Sequence, residues 1–465
     1  MRIWVIVAAA LAFGAPATVE ADPRFEPQAC ADAALKAGAR CGVVRVFEDR
    51  STAQGRTIDL SIVILPATGP GPHLPPLFTV SGGPGEATNR NVSFYAEAGM
   101  AYRVRRDVVM LDQRGTGRSN ALICPEIAAE PETAEMFSRA YVEGCRRHLE
   151  PRADLRMYGT DAAVADMEVV RSALGYQRID LVAGSYGTTL AMRYISAHPD
   201  RVRAAILSGA APTFAMPPQH HATAAYRAIR LIWADCAADA ACHAAFADPA
   251  RDLDLAVAHL AKSGELKPER FTEALRSIMY SAAGSRSLLY LVHRAGAGDM
   301  APFMEATGGA ALGSTFADGL YLSITCTESL GLMDYAAAAK AARATPFGDY
   351  RLRRQLEACK NWPVAQLPAD HLTPVKAPAA ILFVSGYLDP VTPPEWAAEA
   401  AKGFPNARQL VLRYSGHNVR GLSNLDTCYD GLMIRFLDNA DAAGLDARCV
   451  ADLRPPPFIT SAPAK

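Results

Sequence analysis

The sequence predicts an α/β fold in which a mostly parallel sheet is interrupted by a helical block. Three observations lead there. Short apolar runs at Leu77–Val80, Val108–Leu111, 179–182 and 204–207 lack polar alternation, which is the texture of strands buried on both faces of a parallel sheet. Helical patterns separate these runs, and alternating strand and helix is the signature of the class. From about residue 215 to 371 the chain is alanine-rich and favours helix, after which 380–384 and 409–412 restore the buried-strand texture.

Each element follows from its residues. The stretches 41–47 and Thr57–Leu65 alternate β-branched with polar residues and read as an opening antiparallel hairpin. The stretch 162–174 sets Val164, Met167, Val170 and Leu174 at helical spacing, with Thr160 and Asp161 as capping candidates before it. A last helical pattern begins at 431–437, there is no internal repeat, and Pro455, Pro456 and Pro457 mark a surface segment. The expected organisation is a leader over 1–21, a core over 22–214, a helical cap over 215–372 and the core again over 373–465.

The length of 465 residues admits up to three domains of about 150 residues, although large α/β folds exceed that size as one unit. Half of the residues are apolar and a fifth are charged, which provides for a buried core and differs from a disordered composition. The 47 basic and 48 acidic residues leave a formal charge of -1. That balance lacks the electrostatic footprint of a nucleic-acid binder or a polybasic membrane-surface protein.

Arg2, the apolar run 3–13 and the small residues Val19 and Ala21 read as a cleavable secretory signal. The apolar run is about half of the roughly 20 residues that span a bilayer, so stable membrane insertion is not expected. Export to the periplasm or beyond makes disulfides possible. Sequence alone leaves the connectivity open, but loop closure favours near neighbours. Sequential pairing is therefore expected: Cys30 with Cys41, Cys124 with Cys145, Cys236 with Cys242, Cys326 with Cys359, and Cys428 with Cys449. The alternative at any pair is free buried cysteine. Metal-ligand spacings are absent, and neither His220-His221 nor Cys242-His243 makes one, so no metal or other cofactor is expected.

The chemistry concentrates at Ile179-Asp180-Leu181-Val182-Ala183-Gly184-Ser185-Tyr186-Gly187, a strand entering a tight turn that opens a helix. A serine on such a corner stands exposed above the sheet edge, and its neighbours must be small because strand and helix approach closely. By itself the pattern is equally an ordinary strand-to-helix turn. Its surroundings decide. Ser81-Gly82-Gly83-Pro84-Gly85 follows a strand, and glycines there let backbone N–H groups point into a site. The N–H groups of Gly83 and Tyr186 are the expected oxyanion hole. A serine hydroxyl also needs a base oriented by an acid. His417, in Tyr414-Ser415-Gly416-His417-Asn418, follows the last buried strand, and Asp389, in Leu388-Asp389-Pro390, follows the preceding one. The chain order Ser185, Asp389, His417 is that of α/β-hydrolases.

The set Gly82-Gly83-Pro84-Gly85, Asp112-Gln113-Arg114-Gly115-Thr116-Gly117-Arg118-Ser119 and Gly184-Ser185-Tyr186-Gly187 resembles the proline iminopeptidase and tripeptidyl aminopeptidase group of α/β-hydrolases. The segment from Cys326 through Cys359 and Trp362 to Asp389 and His417 resembles its exported tripeptidyl-aminopeptidase-like branch. Ser81 stands where iminopeptidases carry histidine, and Ala183 where a glycine is usual, so the resemblance is to the wider group. It implies an α/β-hydrolase fold with an inserted helical cap, and an architectural role for 112–119.

The resemblance further implies that cap glutamates hold the substrate's free α-amine, which is cationic at neutral pH. The matching residue is Glu328, in Thr325-Cys326-Thr327-Glu328-Ser329; the bland alternative is a solvated glutamate at a helix end. The expected activity is that of an exported serine aminopeptidase acting on peptides. A carboxylesterase acting on ester substrates through the same triad is the alternative, and a catalytically silent binding protein is disfavoured by the complete set of Ser185, Asp389 and His417.

Overall fold

The computed structural model describes residues 23–31, 38–71, 73–128, 135–308 and 315–462. The expected leader over 1–21 lies outside the described residues. Nine strands form one sheet: β1 Phe25–Gln28, β2 Arg40–Phe47, β3 Thr57–Leu65, β4 Leu77–Val80, β5 Val108–Leu111, β6 Ile179–Gly184, β7 Val202–Ser208, β8 Ala380–Gly386 and β9 Ala407–Leu412. Their order is β1-β2-β3-β5-β4-β6-β7-β8-β9. The β2–β3 hairpin pairs antiparallel, as its alternation predicts, and β4 to β9 pair parallel. The short β1, which no periodicity marked, adds antiparallel to β2.

Apolar runs without alternation arise because the sheet is covered on both faces. Leu77 of β4 packs with Met110, Ile206, Leu382 and Phe436 on one side, while its neighbour Phe78 packs with Leu181, Leu190, Leu207 and Phe383 on the other. Helices α1 Thr160–Ala173 and α2 Tyr186–Ala197 cover the second face. The strand order also creates a switch point. The chain leaves β4 for β5 on one side and returns to β6 on the other, which opens a crevice at the carboxyl ends of β4 and β6, where α/β sheets bind ligands.

One expected cap is corrected. Helix α1 begins at Thr160 with Gly159 as its N-cap, so Thr160 and Asp161 sit inside the first turn. The Thr160 N–H and hydroxyl donate instead to the Glu328 carboxylate, 168 residues away. A distant side chain thus satisfies an orphan donor that a local cap would otherwise take.

Between β7 and β8 the described residues contain helices and no strand. Helices α3 His221–Ala237, α4 Pro249–Ser263, α5 Pro268–Ile278 and α6 Ala282–Gly296 enclose their own core around Ile229, Leu253, Phe271, Leu288 and Phe303. Asp248 caps α4 through the N–H of Arg251, with Pro249 at the first position, and Ser281 caps α6 through the N–H of Gly284. Helix α7 Asp318–Thr325 instead buries Leu320, Leu322 and Ile324 in the core of the sheet, beside Trp362 beyond α8 Tyr350–Cys359. The helical stretch therefore consists of a separate lobe followed by a segment that packs with the sheet.

All ten cysteines pair as loop closure predicts. Cα–Cα separations are 5.2 Å for Cys30–Cys41, 5.0 Å for Cys124–Cys145, 5.2 Å for Cys236–Cys242, 5.3 Å for Cys326–Cys359 and 5.7 Å for Cys428–Cys449, all within bonding range. The Cys326–Cys359 bridge ties the Glu328 segment to α8. Replacing both cysteines by alanine is expected to cost about 2–4 kcal/mol, read as a lower midpoint in urea unfolding of the unreduced protein.

Candidate active site

Ser185 follows β6 and serves as N-cap residue of α2 with φ 54° and ψ −130°, a conformation that costs a non-glycine residue on the order of 1–3 kcal/mol. Its surroundings hold it there. The Ser185 N–H donates to the Ser208 carbonyl of β7 at 2.9 Å. A Cβ at Gly187 would lie 2.6 Å from the Val80 carbonyl oxygen, and one at Gly82 would lie 2.9 Å from the Ser185 Cβ. The glycine turn after β4 therefore packs directly on the serine corner. Ala183, where a glycine is usual, is buried within β6 without disturbing this packing.

Asp389 and His417 project from the loops after β8 and β9. These loops are bonded to each other, Leu388 N–H donating to Ser415 at 2.9 Å, and to the helical lobe, Asn418 N–H donating to Tyr280 at 2.8 Å. His417 Nδ1 lies 2.8 Å from Asp389 Oδ2. Asp389 is fully buried. Its Oδ1 accepts from the N–H groups of Val391 and Thr392 at 2.8 and 2.9 Å, and its Oδ2 accepts from the Thr392 hydroxyl at 2.6 Å. Burial alone would raise this carboxyl, but the charge and hydrogen bond of His417, with the bonds from Thr392, hold it below its ordinary value. For His417, burial works against the charged form, yet Asp389 overrides it and raises the imidazole above its ordinary value.

Thr392 was not anticipated from the sequence. Its hydroxyl also lies 3.1 Å from His417 Nδ1, so it touches both members of the pair. A signal exists in Asp389-Pro390-Val391-Thr392, a turn in which a carboxylate collects donors two and three residues on.

Ser185, His417, Gly83, Tyr186 and Glu328 line one cavity of about 1160 Å³, while Asp389 stands behind His417. No cysteine lines it. The Tyr186 N–H begins α2 and so lacks an intrahelical acceptor. Its phenol turns away to Thr160 Oγ1 at 2.9 Å and Gln113 Nε2 at 3.3 Å. Glu328 is buried, not solvated, with Oε1 and Oε2 accepting from Thr160 N and Oγ1 at 2.7 and 2.6 Å. Burial raises its carboxyl to about 7, against the pull of the Thr160 bonds.

The 112–119 loop is architectural. Asp112 accepts from the N–H groups of Asn89 and Arg118, and buried Arg114 grips Asp166 through Nε and NH2 at 2.6 and 2.8 Å.

A mostly parallel sheet with an acid–histidine pair and a serine corner at its carboxyl edge defines an α/β-hydrolase, and a serine hydrolase among them. The comparisons agree. The α/β hydrolase fold family matches residues 75–276, which include Ser185, and the TAP-like protein family matches 343–449, which include Asp389 and His417. The chain is 25% identical over 466 residues to a tripeptidyl aminopeptidase of Streptomyces lividans, covering 90% of this chain and 85% of the relative. It is 25% identical over 469 residues to the serine protease Hip1 of Mycobacterium tuberculosis, covering 89% and 88%. Over 138 residues it is 30% identical to a proline iminopeptidase of Xylella fastidiosa, covering 30% and 33%. The chain thus carries an α/β hydrolase fold domain and a TAP-like domain, and over most of its length it is similar to tripeptidyl aminopeptidases.

The packing around Ser185 separates the two glycines that flank the serine corner. A Cβ at Gly187 meets backbone, whereas one at Gly184 meets nothing within 4 Å. Gly187→Ala is expected to cost about 1–3 kcal/mol and to reduce turnover, while Gly184→Ala stays within about 0.5 kcal/mol of the parent. Urea unfolding of the two variants, alongside ester turnover, checks this.

Proposed function

We infer that the chain is an exported aminopeptidase that releases residues or short peptides from peptide N-termini, with Ser185 as nucleophile, His417 as base and Asp389 as orienting acid. The pair Asp389–His417 is the observation that carries the reading: a fully buried carboxylate, saturated with donors, 2.8 Å from Nδ1. Because Nδ1 faces Asp389, Nε2 is the nitrogen left for the Ser185 proton. Ser185 attacks the substrate carbonyl, the N–H groups of Gly83 and Tyr186 receive the oxyanion, and His417 hands its proton to the leaving amine. Water then repeats the cycle and frees the acyl product. Five disulfides fit an oxidising compartment, and no helix among the described residues is long and apolar enough to cross a membrane.

An aminopeptidase also requires a carboxylate for the α-amine. Glu328 lines the cavity but uses an oxygen for each Thr160 donor, and this is the observation that favours the carboxylesterase reading. Glu86, next to the glycine turn, lines the same cavity from an exposed position, and among the described residues its carboxylate has no hydrogen bond or ion pair.

Ser185→Ala should reduce turnover by about 10⁴-fold or more, and near-full activity in that variant would remove the triad. In the parent, turnover should rise with pH as His417 loses its proton. The midpoint of that limb should lie above the ordinary histidine value, because Asp389 favours the charged imidazole.

Glu328→Gln should depress cleavage of free-amine anilides by about 10-fold or more relative to a neutral ester. If both substrates lose rate equally, Glu328 has no part in amine binding, and the same comparison on Glu86→Gln tests the remaining carboxylate.

A further inference from the structure

In the cavity that Ser185 lines, α5 and α8 present Glu273, Arg276 and Arg351. Glu273 Oε2 accepts from Arg351 NH1 at 2.9 Å and from Arg276 Nε at 3.4 Å. Among the described residues neither guanidinium pairs with a second carboxylate. Their other partners include phenols: Arg276 NH1 donates to Tyr280 at 2.8 Å, and Arg351 NH2 to Tyr321 at 3.2 Å. Arg351 Nε is buried without an acceptor. The side chains of Arg276 and Arg351 are only 6% and 16% exposed.

A buried cluster of two cations and one anion is expensive, because a desolvated charge without a counter-ion costs several kcal/mol. Neighbouring His221 adds no further positive charge. It lines the same cavity, and burial, with the adjacent arginines, keeps it neutral. The surplus positive charge of the cluster faces the cavity that Ser185 and His417 line, apart from the carboxylates of Glu86 and Glu328, with which neither arginine forms an ion pair among the described residues. Tyr280 links the cluster to the reaction centre, its ring 5.0 Å from that of His417. Tyr321 links it through Phe316, at 6.2 Å between ring centroids, to the glycine turn.

We propose that Arg276 and Arg351 form an anion subsite that binds a carboxylate of the substrate. Planar guanidiniums with donors to spare match a carboxylate in geometry as well as charge, and the bound anion brings the buried cluster to neutrality. The carboxylate is the C-terminus of a short peptide or an acidic side chain near the scissile bond. The proposal rests on the peptidase reading and names its substrate class.

The test compares kcat/KM within matched pairs of free-amine peptides: C-terminal acid against C-terminal amide, and Asp or Glu against Asn or Gln on either side of the scissile bond. The anionic member of one series should be preferred by about 10-fold or more, chiefly through KM. Arg276→Gln and Arg351→Gln should bring that ratio toward one, and Glu273→Gln should raise it. Each ratio is internal to one preparation, so partial loss of folded enzyme cancels. A response in the first series identifies the C-terminus, and one in the second an acidic residue. A ratio near one in both series, or a preference that survives both arginine variants, overturns the proposal. If peptides are not cleaved but esters are, the peptidase reading fails separately, and the same ratios are read on a dicarboxylic half-ester against its diester.

Discussion

The backbone at Ser185 constrains the rest of the molecule. A serine at φ 54° persists only where its environment leaves it no alternative, and that environment comes from the strands on both sides of β6. Strand β7 supplies the acceptor for its N–H, β4 supplies the carbonyl that excludes a side chain at Gly187, and the turn after β4 packs on its Cβ. These contacts require β4, β6 and β7 to lie side by side with their carboxyl ends level, which is the centre of the observed strand order. The loops after β8 and β9 then come to the same edge because those strands continue the parallel order.

The helical layer is joined to this corner through polar contacts. Glu328, anchored beside the Cys326–Cys359 bridge, receives Thr160, whose hydroxyl meets the Tyr186 phenol next to the serine. A carboxylate at a helix start is favoured by the helix dipole, but here burial outweighs that benefit and raises the group to about 7. On the other side, the Tyr280 carbonyl holds the loop that carries His417. The reaction centre is therefore braced by segments distant in sequence, and no helix-capping rule would find such braces.

That distance separates what was legible in the sequence from what was not. The strands β4 and β5 could be read because burial on both faces leaves an unbroken apolar run, and the serine corner because steric crowding restricts its neighbours to small residues. The sequential disulfides followed from chain entropy. Thr160 and Asp161 read as caps because local rules assume local partners, and Glu328 displaced them from that role. Thr392 went unseen because a threonine in a proline-rich turn has many ordinary uses. Arg276 and Arg351 lie 75 positions apart on different helices, and nothing in either helix's own pattern shows that one carboxylate serves both.

The near-zero net charge of the chain hides a contrast between its buried ionic clusters. At the amino-end edge of the sheet, Arg203 grips Asp180 through Nε at 3.0 Å, and neighbouring Arg106 pairs with Asp438, which half-exposed Arg105 also approaches at 3.5 Å, so Arg203 and Arg106 each have an acid of their own. That cluster is closed, and such a closed cluster serves the fold. Within the cavity, Arg276 and Arg351 share Glu273 alone. A fold selected only for stability has no reason to keep an unbalanced cation where water is scarce, since an apolar residue of similar volume would serve as well or better. The imbalance is explained when the missing anion arrives with the substrate. The charge of this one cluster, unlike that of the whole chain, then bears on what the site takes in.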